Sequence, residues 1–164
     1  MIRCSIVPHV IISPRKENRA MPHRKSGWAY RFRRAWAFPR DVEGFLRRLL
    51  IPPSLHIACG SSRIGDVRLD LFMRADVKGD MFHLPFRDES FASVLIDPPW
   101  HLPYHVRPQL ARELARVLRP EGRLILNAPW SLRLKGILEL VEVFWSPAPT
   151  WRNCPLVMIY RKVA

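Results

Sequence analysis

Residues 55–100 read LHIACGSSRIGDVRLDLFMRADVKGDMFHLPFRDESFASVLIDPPW, and the fold is decided within this stretch. Residues 55–58 are a short apolar run that meets Cys59-Gly60. A second run, 67–72, contains Asp70; a third spans 77–80; a fourth, 91–96, ends on Asp97-Pro98-Pro99-Trp100. Short apolar runs bounded by Gly, Pro and Asp read as buried strands. Toward the C-terminus, Pro108 suits the first turn of a helix, and Leu110, Leu114, Val117 and Leu118 mark its buried face. Arg119-Pro120-Glu121-Gly122 reads as a turn, and residues 123–127 as a fifth strand. A short helix is predicted over 132–138, then strands near 141–145 and 156–160. Toward the N-terminus, Asp41 follows Pro39 and is expected to cap a helix. That helix carries the apolar stripe Phe45, Leu46, Leu49 and Leu50, and Pro52-Pro53 stop it. Strands alternating with helices predict an α/β fold with a mostly parallel sheet.

One spacing departs from that pattern. Residues 61–67 number only seven, whereas a helical crossover between parallel strands takes about a dozen or more. The helix between the first two strands is therefore shortened or missing, and a tight loop must replace it. Part of one sheet face would be left bare.

The chain has 164 residues, 48% hydrophobic and 25% charged, which suits one domain with a real core. Residues 41–164 are assigned to that domain and residues 1–40 to a basic, aromatic-rich arm. The net charge is +13, and its placement matters. Residues 1–50 hold twelve Arg/Lys against three Asp/Glu; residues 51–164 hold fifteen against eleven. A basic arm on a nearly balanced body predicts an RNA or DNA partner, with a solvated basic tail as the alternative. Residues 1–27 are expected to be irregular. In residues 28–38, Trp28, Tyr30 and Phe32 alternate with Ala29, Arg31 and Arg33, and Trp36 and Phe38 follow. An extended segment would put those rings on one side. They could stack on unpaired bases or cover the bared sheet face.

Cys4, Cys59 and Cys154 lie far apart with no Cys-x-x-Cys, which suits a reducing cytoplasm. No apolar run reaches the length needed to cross a bilayer, so no membrane partner is expected. His101 and His105 are four apart, but Pro103 lies between them and no acidic or Cys partner accompanies them. No metal site is expected. A Gly-x-Ser-x-Gly elbow and a phosphate-binding Gly-Lys-Ser/Thr loop are both absent from the sequence.

In open α/β sheets, ligands bind beyond the carboxyl ends of the strands. Successive strand ends should deliver Cys59-Gly60-Ser61, Asp70, Asp80-Met81, Asp97-Pro98-Pro99-Trp100 and Asn127-Ala128-Pro129-Trp130. In order and spacing, residues 54–162 resemble class I S-adenosylmethionine (SAM)-dependent methyltransferases of the "type 11" kind. The matching pieces are LHIACG at 55–60, Asp70, GDMFHLPF at 79–86, DESF at 88–91 and LRPEG at 118–122. That family carries an Asp after the Phe of its Ser-Phe-Asp motif, where Ala92 stands here.

The resemblance implies SAM as cofactor and a role for each matched position. Ala58, Cys59 and Gly60 would let the backbone approach SAM. Asp70 would accept from the ribose hydroxyls, and Asp80 from the adenine amino group, with Met81 or Phe82 against the ring. Asp97-Pro98-Pro99-Trp100 is similar to the Asp/Asn-Pro-Pro-aromatic signature of enzymes that methylate planar amino nitrogens, and its Trp version to the adenine-N6 enzymes. Asp97 would serve both the cofactor and the reaction. Pro98, Pro99 and Trp100 would complete the catalytic set. The expected activity is N-methylation of a nucleic-acid base. The alternatives are a methyltransferase for a small molecule or protein amide, and a non-catalytic subunit that binds nucleic acid, a partner subunit or a second copy of itself.

Overall fold

The computed structural model describes residues 3–6, 38–145 and 156–163. Its strands are β1 (Arg3–Ile6), β2 (Ser54–Ile57), β3 (Val67–Asp70), β4 (Val77–Lys78), β5 (Phe91–Ile96), β6 (Leu118–Asn127), β7 (Leu138–Trp145) and β8 (Leu156–Lys162). Its α-helices are α1 (Arg40–Leu49) and α2 (Arg107–Val117). The strands form one sheet in the order β1-β7-β8-β6-β5-β2-β3-β4. Every pairing is parallel except the two made by β8, with β6 and with β7. This is the mostly parallel, Rossmann-like sheet that the strand pattern predicts. No described helix is long and apolar enough to cross a membrane.

Strand side chains alternate between faces, and both faces of the central strands are buried. Leu55, Ile57, Val94, Ile96, Leu124 and Leu126 pack with Leu110, Leu114 and Val117 of α2. The intervening Leu95 and Ile125 pack with Leu46 of α1 and with Ile64 and Val157. Ile64 comes from the loop that replaces the missing helix, so that loop itself supplies apolar cover.

The shortcut between β2 and β3 has a visible cause. Asp66 Oδ2 accepts from Ser54 N and Ser54 Oγ, both at 2.8 Å. Asp66 N donates back to Ser54 Oγ at 3.0 Å. The carboxylate staples the end of the loop to the start of β2. Gly65 (φ 93°) permits the close approach, since a Cβ there would lie 3.2 Å from His56 Cβ. His56 is fully buried, and its Nδ1 lies 3.2 Å from Ile64 O. Burial lowers its pKa from 6.5 to about 4, so the ring is neutral at physiological pH. Phe38 stacks on it with ring centroids 5.9 Å apart. One ring of the aromatic stripe therefore covers the sheet face; Trp28 to Trp36 lie outside the described residues.

Four local expectations are corrected. Arg3–Ile6 is not irregular but pairs in parallel with β7, which satisfies backbone groups along that strand's otherwise open edge. Asp41 is not the cap of α1; Pro39 holds the cap position without a side-chain bond, and Asp41 sits in the first turn, where its charge still suits the helix dipole. Residues 132–138 form no helix. Gly136 adopts φ 77°, and Ile137 N and Leu138 N both return to Leu134 O at 3.1 and 2.9 Å, closing a tight turn instead. The predicted turn at 119–122 is present, but as an irregularity within β6, whose register to β5 jumps from Phe91↔Leu118 to Ser93↔Arg123. A Cβ on Gly122 would meet Arg119 O at 2.7 Å, so only glycine fits there without a shift.

Arg116 of α2 holds the segment that leads into β5. It donates to Phe86 O (2.8 Å), Asp88 Oδ1 (2.7 Å), Leu84 O (3.0 Å) and both oxygens of Glu113 (2.7 and 2.9 Å). Leu84 N in turn donates to Glu113 Oε1 at 2.7 Å. Arg116→Met should lower unfolding stability by about 2–3 kcal/mol in urea titrations, because two carbonyls and two carboxylates lose a charged donor. Arg116→Lys should recover less than half, since an ammonium cannot reproduce the planar fork. A loss under about 0.5 kcal/mol for the Met variant would show the network to be surface decoration.

Candidate active site

The order of the sheet reverses between β2 and β5, and that switch point is where ligands bind in such folds. After β2 the chain turns through Ala58 (φ 54°) and Gly60 (φ 56°). Both lie in the left-handed region, which favours glycine. Asp97 N donates to Ile57 O at 3.4 Å, so the loop after β5 is tied to the end of β2.

Asp70 is buried at the end of β3. Its Oδ2 accepts from Gly60 N at 2.9 Å, and its Oδ1 from Phe72 N and Met73 N, both at 2.8 Å. A carboxylate offers about four acceptor positions, so about one is left for a ligand. Its main work is to hold the Gly60 turn and the loop after β3 against each other. Cys59 is buried beside it. Burial, reinforced by the Asp70 charge, pushes the thiol up to about 11, which makes it a packing group rather than a nucleophile.

Gly79 N donates to Asp70 O at 3.3 Å, which sets the next turn beside the first two. There Asp80 Oδ1 accepts from Phe82 N (3.0 Å) and Oδ2 lies 3.1 Å from His83 Nδ1. The Asp80 side chain remains partly exposed. Met81 and Phe82 are half-buried against the core.

Asp97 is partly exposed at the end of β5. Burial raises its pKa from 3.8 to about 6, against the pull of hydrogen bonds from Trp100 and Asn127. The Asn127 bond, Nδ2 to Asp97 Oδ1, is 3.1 Å. Asn127 is itself buried, and its Oδ1 has no partner among the described residues. Pro98 is buried, while Pro99 and Trp100 are exposed. Trp130 Nε1 donates to Trp100 O at 2.8 Å. The guanidinium of Arg107 lies over the Trp130 ring, 4.3 Å from its centroid.

Two neighbouring parallel strands thus end on the same pattern: Asp97-Pro98-Pro99-Trp100 on β5 and Asn127-Ala128-Pro129-Trp130 on β6. With Ile96 paired to Leu126, the two tetrapeptides run side by side. They are bonded polar residue to polar residue and Trp to Trp. Of the predicted site residues, Ala58, Cys59, Gly60, Asp70 and Asp97 fall in one linked cluster, with Asp80 and Met81 on the adjoining turn. Asn127, Trp130 and Arg107 join the site without having been assigned a role from sequence. The signal for the first two was the repeated Asp/Asn-x-Pro-Trp.

Residues 55–126 match the family described as "Methyltransferase domain". Over that stretch, less than half of its length, the chain resembles this family. Its sheet resembles that of the N-methyltransferase NodS from Bradyrhizobium japonicum WM9, with TM-score 0.58 at 12% identity, covering 76% of this chain and 96% of that one. A TehB-like SAM-dependent methyltransferase from Corynebacterium glutamicum gives 0.53 at 16% identity, covering 74% and 86%. A SAM-dependent methyltransferase from Thermotoga maritima, described as a possible histamine N-methyltransferase, gives 0.52 at 16% identity, covering 74% and 88%. At these identities the likeness is one of fold. Among curated proteins, methyltransferase GfsG of Streptomyces halstedii is 48% identical over 48 residues, which is 29% of this chain. The matched stretch spans only 16% of that relative's length.

The family that residues 55–126 resemble would bring SAM as its cofactor. The residues fit it. The turn at Ala58–Gly60 needs left-handed backbone at the switch point. Asp70 and the partly exposed Asp80 offer acceptors beside it. At the same edge Asn127 Oδ1 is a buried acceptor with no donor among the described residues.

Proposed function

We propose that the chain is a SAM-dependent methyltransferase that N-methylates an exocyclic amino nitrogen of a base in RNA or DNA. The observation that carries this reading is Asp97, a carboxylate fixed by Asn127 at the switch point within a Pro-Pro-Trp loop that Trp130 braces from the next strand. When bound, SAM supplies a methyl group on a positively charged sulfur. An exocyclic amino nitrogen is a poor nucleophile because its lone pair is conjugated into the ring. The Asp97 carboxylate and the Pro98 carbonyl accept its two N–H bonds. That orients the nitrogen, favours its less conjugated geometry and offsets the positive charge it develops. Two prolines stiffen the loop, so both acceptors are placed in advance. Trp100 gives the base a stacking face, and a base in a duplex flips out to reach it. The basic arm holds phosphates.

The direct experiment incubates the full chain with labelled SAM and single-stranded RNA or DNA, then digests to nucleosides for mass spectrometry. A base bearing an N-methyl group is expected. Label reaching no base, while calorimetry shows S-adenosylhomocysteine bound, would rule out a base as the target. No binding at about 1 mM of that product would end the enzymatic reading. Oligonucleotide affinity should also fall at least about tenfold between about 50 and about 200 mM salt. Replacing Arg31, Arg33 and Arg34 with Gln should flatten that slope. Salt-insensitive binding would remove the arm from the scheme.

A further inference from the structure

A cavity of about 610 Å³ opens beside the catalytic loop, which Trp130 of its wall bonds. Its walls come from the start of α2, the turn after β6 and the start of β8, including Tyr104, Arg107, Trp130, Ser131 and Arg133. The volume suits one nucleotide-sized molecule. Two guanidiniums line it, and none of its described lining residues is acidic. Arg107 spends Nε and Nη2 on Leu102 O, at 3.2 and 2.9 Å. It lies 4.3 Å from the Trp130 centroid and 5.8 Å from that of Tyr104. This fixes its plane while its Nη1 has no protein acceptor among the described residues. Arg133 is exposed at the rim. A fixed guanidinium with a second one at the rim suits the oxygens of a phosphate, and an indole beside them suits a planar ring.

We propose that this cavity holds the nucleotide next to the one being methylated, its phosphate on Arg107 and Arg133 and its base against Trp130 and Tyr104. The assignment rests on the base-methylation reading of the adjoining loop. It makes a specific connection: Trp130, which would touch the neighbouring base, also donates to Trp100 O of the catalytic loop. Occupation of the cavity would steady the loop that receives the target base. A nucleoside would lack that anchor; a short oligonucleotide would have it.

The test titrates the full chain with adenosine monophosphate and with adenosine by calorimetry. Each titration is run with and without saturating S-adenosylhomocysteine, so that adenosine cannot be mistaken for an occupant of the cofactor site. The monophosphate should bind at least about tenfold more tightly than adenosine with the cofactor site filled. Arg133→Ala, a change at an exposed position, should erase that advantage, and Trp130→Leu should weaken both ligands. Equal affinities, an advantage that survives Arg133→Ala, or benzoate binding as tightly as the monophosphate would overturn the proposal. Failure of the base-methylation reading has a different signature: the monophosphate binds as expected, yet no oligonucleotide accepts a methyl group. The converse, oligonucleotides methylated equally well by wild type and by Arg133→Ala, would reject this cavity and leave base methylation standing.

Discussion

Asp97→Ala should abolish methyl transfer, lowering kcat at least about a hundredfold, while S-adenosylhomocysteine still binds. Removing one preorganised group aimed at developing charge typically costs about 10²–10³ in rate. Here the alanine also leaves Asn127 Nδ2 without its acceptor. The ionisation of Asp97 sharpens the test. In the folded protein its pKa is about 6. Below that the carboxyl is neutral and donates a proton where the amino group needs an acceptor. Transfer should therefore rise with pH through about 6 and then level off. Asp97→Asn keeps one carbonyl acceptor, so it should retain partial activity and lose that rise altogether. A rise near pH 6 that persists in Asp97→Asn would place the titrating group elsewhere.

The same displacement makes a prediction about stability, with its own sign. The unfolded carboxyl loses its proton near 3.8 and the folded one near 6, so between those values the native state binds more protons. Stability then falls as pH rises from about 4 to about 6 and stays lower above. The difference corresponds to at most about 3 kcal/mol. Asp97→Asn should recover part of it at pH about 8 and none at pH about 3, as read by urea midpoints. A residue that costs stability at the pH where the protein works, and gives it back when neutralised, is a residue kept for its chemistry. Equal midpoints for wild type and Asn at both pH values would contradict this.

Asp70→Ala should be the most damaging change near the cofactor. Three backbone N–H groups, from Gly60, Phe72 and Met73, converge on this one buried carboxylate. Bonds to charged groups are worth about 1.5–3 kcal/mol each, and a buried donor left unmade costs its own desolvation. A loss of about 3 kcal/mol or more is expected in denaturant titrations. If that energy is what orders the Gly60 turn, affinity for S-adenosylhomocysteine should fall about a hundredfold, since each 1.4 kcal/mol of ordering is a factor of ten. Asp70→Asn separates the links. Its amide oxygen can still take Phe72 N and Met73 N, but its NH₂ then meets the Gly60 N–H donor to donor. It should lose at least about tenfold in cofactor affinity for a smaller loss of stability. Wild-type affinity in Asp70→Asn would mean that the Gly60 link does not shape the cofactor turn.

The central strands were legible in the sequence because 55–58 and 91–96 are apolar runs cut off sharply by Gly60 and Pro98, and because the seven residues 61–67 leave no room for a helix. What failed was local and had local causes. Residues 132–138 carry helix-like apolar spacing, but Gly136 turns the backbone the other way. Residues 3–6 have too little pattern of their own to announce a strand; the edge of β7 makes them one. The role of Asp70 is one that the family resemblance implies, and its three bonds come from backbone groups brought in by folding. Asn127 and Trp130 were in plain view. Their pairing with Asp97 and Trp100 depends on β5 and β6 being adjacent and in register, which a single chain read in order does not display.

The position of β8 has a consequence for how the protein is made. Residues 156–162 follow β6 and β7 in the chain but lie between them in the sheet, and Val157, Met158, Ile159 and Tyr160 are buried there. As the polypeptide leaves the ribosome, β7 and the β1 strand paired to it have nothing to join until that segment emerges. Leu132 N, which donates to Tyr160 Oη at 2.9 Å, also waits for it. The half-sheet from β4 to β6 can assemble during synthesis, whereas β7 and β1 must be held apart from it, exposed to chaperones or to neighbouring chains, until the strand that joins the two parts arrives.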